Sequence, residues 1–597
     1  MVKHARDSSA GPSPNKKRQR AAHATFRPNK VATAEAAAAV DADPPLRKLE
    51  DLLKHSVDNP AKGQSVVYWM RMGDLRVSDN RALSLASEQA VKDDIPLIVL
   101  FAISPQDYVA YDRSARRIDF TLRNLSKLKG TLADLHIPLH TIIHTPRRTL
   151  PSRILTLMAD LGSTRLYANM EYEVDELRRD IEICELSKEQ GAKMTFVHNK
   201  CIVEPGVILT KENKSYAVYS PYQRNWLAAV NHNIPHYLED CPKPQPNSKS
   251  IHKSKKFAPL FDTPVPDVVD GFELQEDDRK RMCEFWPAGE DVASEILQRF
   301  LTTKVRSSQL GAVNPLAPGA EESTKSSRIL TYDKGRDRVD RDSTSRLSPY
   351  LSAGVISVRA CVRAAMKLLK TDKVDGSRTS GVGRWIQELA WRDFYTCVLA
   401  GFPRVCMGRP YLERFSTVVW EDHQSPEDSS RAAGEGNQDS EMLKKWKEGM
   451  TGFPVIDATM RCIKVMGWVH NRMRMTTAMF LTKDLMIDWR VGERYFMENL
   501  IDGDFASNNG GWQWSASTGT DPVPYFRLFN PYSQSEKADP SGDFIRHWVP
   551  ELSKLRGRDL HKPPASLADE LGYPRPIVDH AESRERAFRR FKNPGEP

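Results

Sequence analysis

"IPLIVLFAI", Ile95–Ile103, is the longest apolar run in a chain of 597 residues, and its reading decides the first half of the fold. Nine residues cannot span a bilayer. A run of that length suits a strand covered on both faces. Upstream, "SVVYWM" (65–70) reads as a second strand and "DNRALSLASEQAVK" (79–92) as the helix between them. Downstream, "RRIDFTLRNLSKLKGTLADL" is a helix, and "PLHTIIH", "LPSRILTLMADLG", "TRLYANM", "VDELRRDIEICELSKEQG" and "KMTFVH" continue the alternation. Strand–helix alternation of this kind predicts a Rossmann-like parallel α/β domain with helices on both faces, here over 63–205. It holds neither a G-x-G-x-x-G nor a P-loop, so a nucleotide at a glycine-rich turn is not indicated.

The flanks differ. Residues 1–62 are rich in Ala, Ser, Pro, Lys and Arg and are expected to be disordered. Their basic cluster "PNKKRQR" (14–20) reads as a nuclear-import signal or as a solvated tail. Only Asp7 is acidic in the first thirty residues, which leaves a mitochondrial share as a further expectation. The segment 206–284, with the Pro- and Lys-rich "CPKPQPNSKSIHKSKK", is expected to be an interdomain linker. From 285 to 597 apolar residues recur at helical spacing, as in "VISVRACVRAAMKLL", which predicts a large all-α domain. The stretches 303–330 and 421–440 read as surface insertions.

Composition narrows the class. Hydrophobic residues make up 40% and charged residues 28%, as in a globular chain with no membrane segment. The net charge of +9 is compatible with a nucleic-acid partner without defining one. The eight cysteines include no C-x-x-C pair, so neither a disulfide framework nor a metal site is expected.

Chemistry-bearing residues gather in the second half. In "DSTSRLSPYLSAGVISVR", Ser348 is a candidate N-cap with Pro349 at the first helical position. Thr344, Ser345 and Ser348 there could hold a phosphate at the helix start or form a plain capping motif. In "RWIQELAWRDFYTCVL", Trp385, Glu388 and Arg392 share one helical face, with Trp391 at its edge. That face suits a polar cavity or a structural Glu–Arg pair. "GWVHNRMRMTTAMF" crowds Trp468, His470, Asn471, Arg472 and Arg474 together, and His470 alone reads as a core histidine. "LIDGDFASNNGGWQW" brings Asp502, Asp504 and Asn508 ahead of two tryptophans, Trp512 and Trp514, in a stretch that reads as a turn with packed aromatics.

Together, "DLRVSDNRAL", "WRDFYTCVL", "TGFPVIDATMR", "GWVHNRMRM", "DLMIDWRVGERYF" and "LIDGDFASNNGGWQWSASTGTDPVPYFRLFNP" resemble the photolyase/cryptochrome family, and in detail class I cyclobutane pyrimidine dimer photolyases of the fungal type. The resemblance spans nearly everything beyond residue 63. It implies FAD in the helical domain, active as the fully reduced anion. Tyr332 and the run Thr344, Ser345, Arg346, Leu347 and Ser348 would hold the cofactor. Trp385, Glu388, Arg392, Trp468, Asn471 and Arg474 would line its pocket. Asp502 would pair with Arg474, Gly503 and Asp504 would meet the isoalloxazine edge, and Asn508 would face N5. Trp512, Trp489 and Trp420 would relay electrons from the surface, with Trp420 the least fixed because of the neighbouring insertion. Trp391 and Trp514 would wall a flipped-out dimer in DNA. Glu388, Asn471 and Met475 would touch it, and Arg336, Arg472, Arg527 and Gln534 would meet the strand.

The resemblance further implies a monomer and a 5,10-methenyltetrahydrofolate antenna with Glu176 as ligand; a deazaflavin or an empty site is the alternative. A cryptochrome without repair activity is the competing function, against which Asn508, Trp391 and Trp514 speak. Asn471 and Met475 stand where six-four photolyases carry paired histidines. Two departures from the family pattern are Trp69-Met70-Arg71 near the first strand and Cys406-Met407, where bacterial folate-binding relatives often carry Lys after the cysteine.

Overall fold

The structure, a computed structural model, describes residues 31–56, 60–306, 314–421 and 441–596. Five strands, β1 (Ser65–Met70), β2 (Leu97–Ile103), β3 (Leu139–Ile143), β4 (Ser163–Asn169) and β5 (Lys193–Val197), form one sheet in the order β3-β2-β1-β4-β5. Every pairing is parallel, with Val67 opposite Ile98 and Val99 opposite Leu139. Parallel neighbours need crossovers, and the helices Arg81–Asp93, Ala115–Asp134, Leu150–Asp160 and Val174–Ser187 supply them. The two-residue period of β1 divides its side chains between two cores. Val66, Tyr68 and Met70 enter one that runs on into the second domain, and Val67 and Trp69 enter the other.

The expectation of disorder over 1–62 fails for its second half. Ala34–Ala42 and Pro45–Lys54 are helices; residues 1–30, with the basic cluster, and 57–59 lie outside the described residues. The low-complexity "AEAAAAVDA" is alanine-rich, which favours helix, and the Thr33 hydroxyl caps it by accepting from Ala36 N–H. The next helix buries Leu46 and Leu49 in the second core, alongside Val405 and Cys406 of the helical domain. Residues 206–284 are likewise more than a linker. The helix Tyr219–His232 buries Tyr219, Tyr222 and Trp226.

Residues 285–596 are helical where described. The helices that build the site are α1 (Gly381–Gly401), α2 (Asn471–Met479), α3 (Trp489–Asn499) and α4 (Phe505–Ala516). α4 corrects the turn expected around "NNGGWQW". Its glycines serve close packing: a Cβ on Gly510 would lie 2.1 Å from the Tyr395 ring of α1. Buried ion pairs lock the domains together. Arg359 Nη2 meets Asp79 Oδ1 at 2.7 Å, and Lys200 Nζ meets Asp504 Oδ2 at 2.6 Å. Burial pushes the Asp79 carboxyl up, but Arg359 and Arg363 outweigh it and bring it down to about 2.

Candidate FAD and lesion site

The loop before Tyr350 is built as an anion cradle. Arg346 sits at φ 56°, left-handed for a side-chain-bearing residue, a strain that surrounding contacts must hold. Arg328 donates to the Thr344 carbonyl at 3.5 Å and to Asp342 Oδ2 at 3.3 Å. Burial draws Arg328 down, and the neighbouring Arg346, Arg306 and Arg299 lower it too, against the pull of Asp342. This cluster of guanidinium groups beside Thr344–Ser348 fits a diphosphate. Ser348 is not the cap expected of it. It is the first helical residue, and its Oγ accepts from the Trp468 indole at 3.0 Å.

Across from this loop, Arg474 forks onto Asp502 with bonds of 3.1 and 2.7 Å. Asp504 caps α4 by accepting from Ser507 N–H at 2.9 Å while holding Lys200. Burial raises the Asp504 carboxyl, but Lys200 and Arg392 outweigh it and keep it well below the usual carboxylate range. Arg392 donates to the carbonyls of Lys200, at 2.5 Å, and Leu351. Asn508 donates through Nδ2 to the Glu493 carbonyl at 2.9 Å, which leaves its Oδ1 as an acceptor. One turn on, a Cβ on Gly511 would meet nothing within 4 Å, so this face of α4 fronts open space. Tyr332 and Trp385 pack on Phe300, with ring centroids 6.0 and 5.2 Å away. A ring system flanked by acceptors and arginines fits here, and the residues present suit FAD.

The tryptophans separate. Trp512 is buried against Phe496 and Trp446, at 4.9 and 6.4 Å, and its indole nitrogen has no hydrogen-bond partner among the described residues. It lies over Gly492, one turn along α3 from Trp489. Trp420 packs instead on Phe591 of the C-terminal helix, at 5.8 Å. Trp514 and Trp391 are half-buried, and Trp391 stacks on Tyr219 at 3.6 Å. Between these elements Glu388 pairs with Arg336 at 2.6 Å, and burial raises its carboxyl against the pull of Arg336 and Arg384. Arg472 pairs with Asp337 at 2.8 Å, Asn471 Nδ2 approaches Met475 Sδ at 3.8 Å, Gln534 lies in the helix Pro531–Ala538, and Arg527 is exposed.

Sequence reasoning missed Lys200, Tyr219 and Trp446. Lys200 and Tyr219 lie outside the helical domain, and Trp446 carried no motif. Glu176 lies apart from the helical site, in the first turn of Val174–Ser187. The Tyr111 hydroxyl donates to its Oε2 at 2.5 Å, and burial, then Glu173 and Glu171, push its carboxyl well up.

Comparison with known proteins agrees with this geometry. A family model described as the FAD binding domain of DNA photolyase matches residues 385–593, and one described as DNA photolyase matches 66–245. A deoxyribodipyrimidine photo-lyase of Neurospora crassa is 40% identical, covering 95% of this chain and 88% of that one. A mitochondrial deoxyribodipyrimidine photo-lyase of Saccharomyces cerevisiae is 33% identical over 92% of this chain and 89% of its own. A bacterial class III photolyase from Agrobacterium tumefaciens superposes with a TM-score of 0.70 at 28% identity, covering 90% of this chain and 99% of that one. The chain belongs to the DNA photolyase family.

Proposed function

We infer that the protein repairs cyclobutane pyrimidine dimers in DNA under light, as a carbon–carbon lyase. The observation that carries this reading is the pair of half-buried indoles, Trp391 and Trp514, with Glu388 one turn before Trp391 on α1 and paired with Arg336. FAD in its reduced anionic form supplies the light-driven electron that opens the cyclobutane ring and recovers it afterwards.

The chain does the placing. Thr344–Ser348 and the arginines around Asp342 would hold the cofactor's diphosphate, and Asn508, whose Nδ2 is taken by the Glu493 carbonyl, would present Oδ1 to the flavin. Trp391 and Trp514 receive the flipped-out dimer, whose weak stacking makes extrusion cheaper than for intact bases. Glu388, held at 2.6 Å by Arg336, offers its carboxylate to an N–H at the thymine edge. Asn471 and Met475 border the dimer, while Arg336, Arg472, Arg527 and Gln534 contact the strand. Trp512, Trp489 and Trp420 reload the cofactor with electrons from outside.

Glu176 fits a 5,10-methenyltetrahydrofolate antenna. Tyr111 occupies Oε2, Oε1 has no protein partner among the described residues, and Glu173 lies close enough to act on the same carboxyl. A monomer suffices, because one chain carries every group named. The basic cluster at 14–20 supports nuclear import, and the mitochondrial relative in yeast supports a second destination.

The test mixes prereduced protein with an oligonucleotide carrying one thymine dimer and counts restored thymines after blue light and after darkness. Light-dependent restoration is expected. FAD binding without repair of duplex or single strand transfers the reading to a photoreceptor.

A further inference from the structure

We propose that Tyr219, at the head of the helix Tyr219–His232, is a positioning residue for lesion recognition that fixes Trp391 from behind. The proposal rests on Trp391 being a wall of the dimer pocket and adds a residue to that wall from a helix that precedes the helical domain in the chain.

The geometry is specific. The Tyr219 and Trp391 rings lie face to face, 3.6 Å apart and 9° from parallel. The Tyr219 hydroxyl donates to the Gln387 carbonyl at 2.8 Å, one helical turn before Trp391 on α1. The same residue's N–H donates to Asp521 Oδ2 at 3.3 Å. Asp521 lies in the loop that follows Trp514 and has a φ of 44°, left-handed for an aspartate. One residue therefore braces both walls: its ring and hydroxyl hold the Trp391 turn, and its backbone holds the loop behind Trp514. Phe394 and Tyr395 close two more sides of Trp391, at 5.5 and 5.4 Å. Tyr219 is itself 4% exposed, so it cannot touch DNA and acts only through Trp391.

The consequence is preorganisation. A tryptophan free to change rotamer must be ordered when a base stacks on it, which weakens binding. With one face covered by Tyr219, Trp391 offers a fixed surface to the dimer. Undamaged DNA, bound through phosphate contacts, does not use that surface.

The test measures dark binding of FAD-loaded protein to two oligonucleotides, one with a single thymine dimer and one without. The variants are Tyr219→Phe, Tyr219→Leu, Tyr219→Met, Trp391→Ala and the double variant Tyr219→Leu/Trp391→Ala. Tyr219→Leu and Tyr219→Met remove the ring, and each is expected to weaken dimer binding roughly tenfold, about 1.4 kcal/mol, with undamaged binding and FAD content unchanged. Tyr219→Phe keeps the stack and is expected to stay within about threefold. In the Trp391→Ala background, Tyr219→Leu should cost less than about twofold more, because residues acting as a unit are not additive. A full tenfold further loss there overturns the proposal, as does an unchanged dimer-to-undamaged ratio in both ring-less variants. If Trp391→Ala itself leaves dimer binding unchanged, the underlying wall assignment falls. If it weakens binding while the Tyr219 variants do not, only the role of Tyr219 falls.

Discussion

Trp512 and Trp514 are two residues apart on α4 and live in different environments. Two positions turn a helix by roughly 200°, so their side chains leave on opposite faces. Trp512 is 2% exposed and wedged between α3 and Trp446, whereas Trp514 is half-buried, with Phe529 at 6.5 Å. The intervening Gln513 is buried too, and its amide spans from Asn509 to Tyr411 N–H. On the proposed reading, a single helix would carry an electron relay on one side and a recognition surface on the other. Helical period alone would then keep apart chemistry that must stay dry and chemistry that must meet DNA.

The largest test of that division is Trp512→Phe. Phenylalanine fills much of the volume but is far harder to oxidise. Photoreduction of oxidised FAD should slow by on the order of a hundredfold or more, equivalent to about 2.7 kcal/mol on a barrier. Repair by prereduced enzyme should persist. Rapid photoreduction, followed by transient absorption, would mean that the relay starts elsewhere, with Trp446, 6.4 Å from Trp512, the next indole to replace. The opposite face is broken by Trp514→Ala, which should cost about 1–3 kcal/mol in dimer affinity, the range for a base stacked on an aromatic ring. Its rate of flavin photoreduction should match the parent's; a slowed rate would merge the two faces into one function.

The relay face also depends on a close approach. A Cβ on Gly492 would stand 2.1 Å from the rim of the Trp512 indole and 2.7 Å from Leu481. Gly492→Ala should therefore lower stability by about 1–3 kcal/mol, as overpacked cores do. Thermal melting that stays at the parent value would show that α3 and Trp512 can part without cost.

These contrasts were unevenly legible in the sequence. The strand alternation from Ser65 to Val197 follows from local period and apolar runs, and the sheet has the five strands read from it. The 508–516 stretch did not read as helix, because Gly510 and Gly511 look like turn residues until the neighbouring Tyr395 is placed. Tyr219 was invisible for a different reason. Its partners Gln387, Trp391 and Asp521 are far off along the chain, and nothing local marks the helix as more than a linker. Alanine-rich Ala34–Ala42 was misread because composition suggested low complexity, whereas its fold depends on covering a groove beside Arg404 and Met407. There Asp41 accepts from Arg404 N–H at 3.1 Å, and Ala32 N–H donates to Met407 O at 3.0 Å.

A smaller effect separates the faces by pH. Glu493, on α3 beside the relay, is buried and accepts from Asn509 Nδ2 at 2.8 Å. Burial pushes its carboxyl up to about 8, from an ordinary 4.5. A group raised in the folded state stabilises fully below its unfolded value and loses that contribution as pH rises towards the folded one. The parent should therefore lose stability between pH 4.5 and 8 relative to Glu493→Gln, whose amide does not titrate. Melting temperatures compared at pH 5 and pH 8 check this. A constant difference would mean that Glu493 is already ionised in the folded protein.

The smallest expected effect lies on the recognition face. Arg527 is exposed and in the loop that runs from Trp514 towards Phe529, so its guanidinium can neutralise a phosphate without entering the dimer pocket. Arg527→Ala should weaken damaged and undamaged DNA by similar factors and reduce the slope of log affinity against log salt by about 1. Trp514→Ala should instead leave that slope alone while lowering the ratio between the two substrates. The pair of measurements separates attraction to the strand from recognition of the lesion. If Arg527→Ala changes the ratio rather than the slope, the arginine reads the dimer itself, and the boundary between phosphate contact and aromatic wall has to move outward past Phe526.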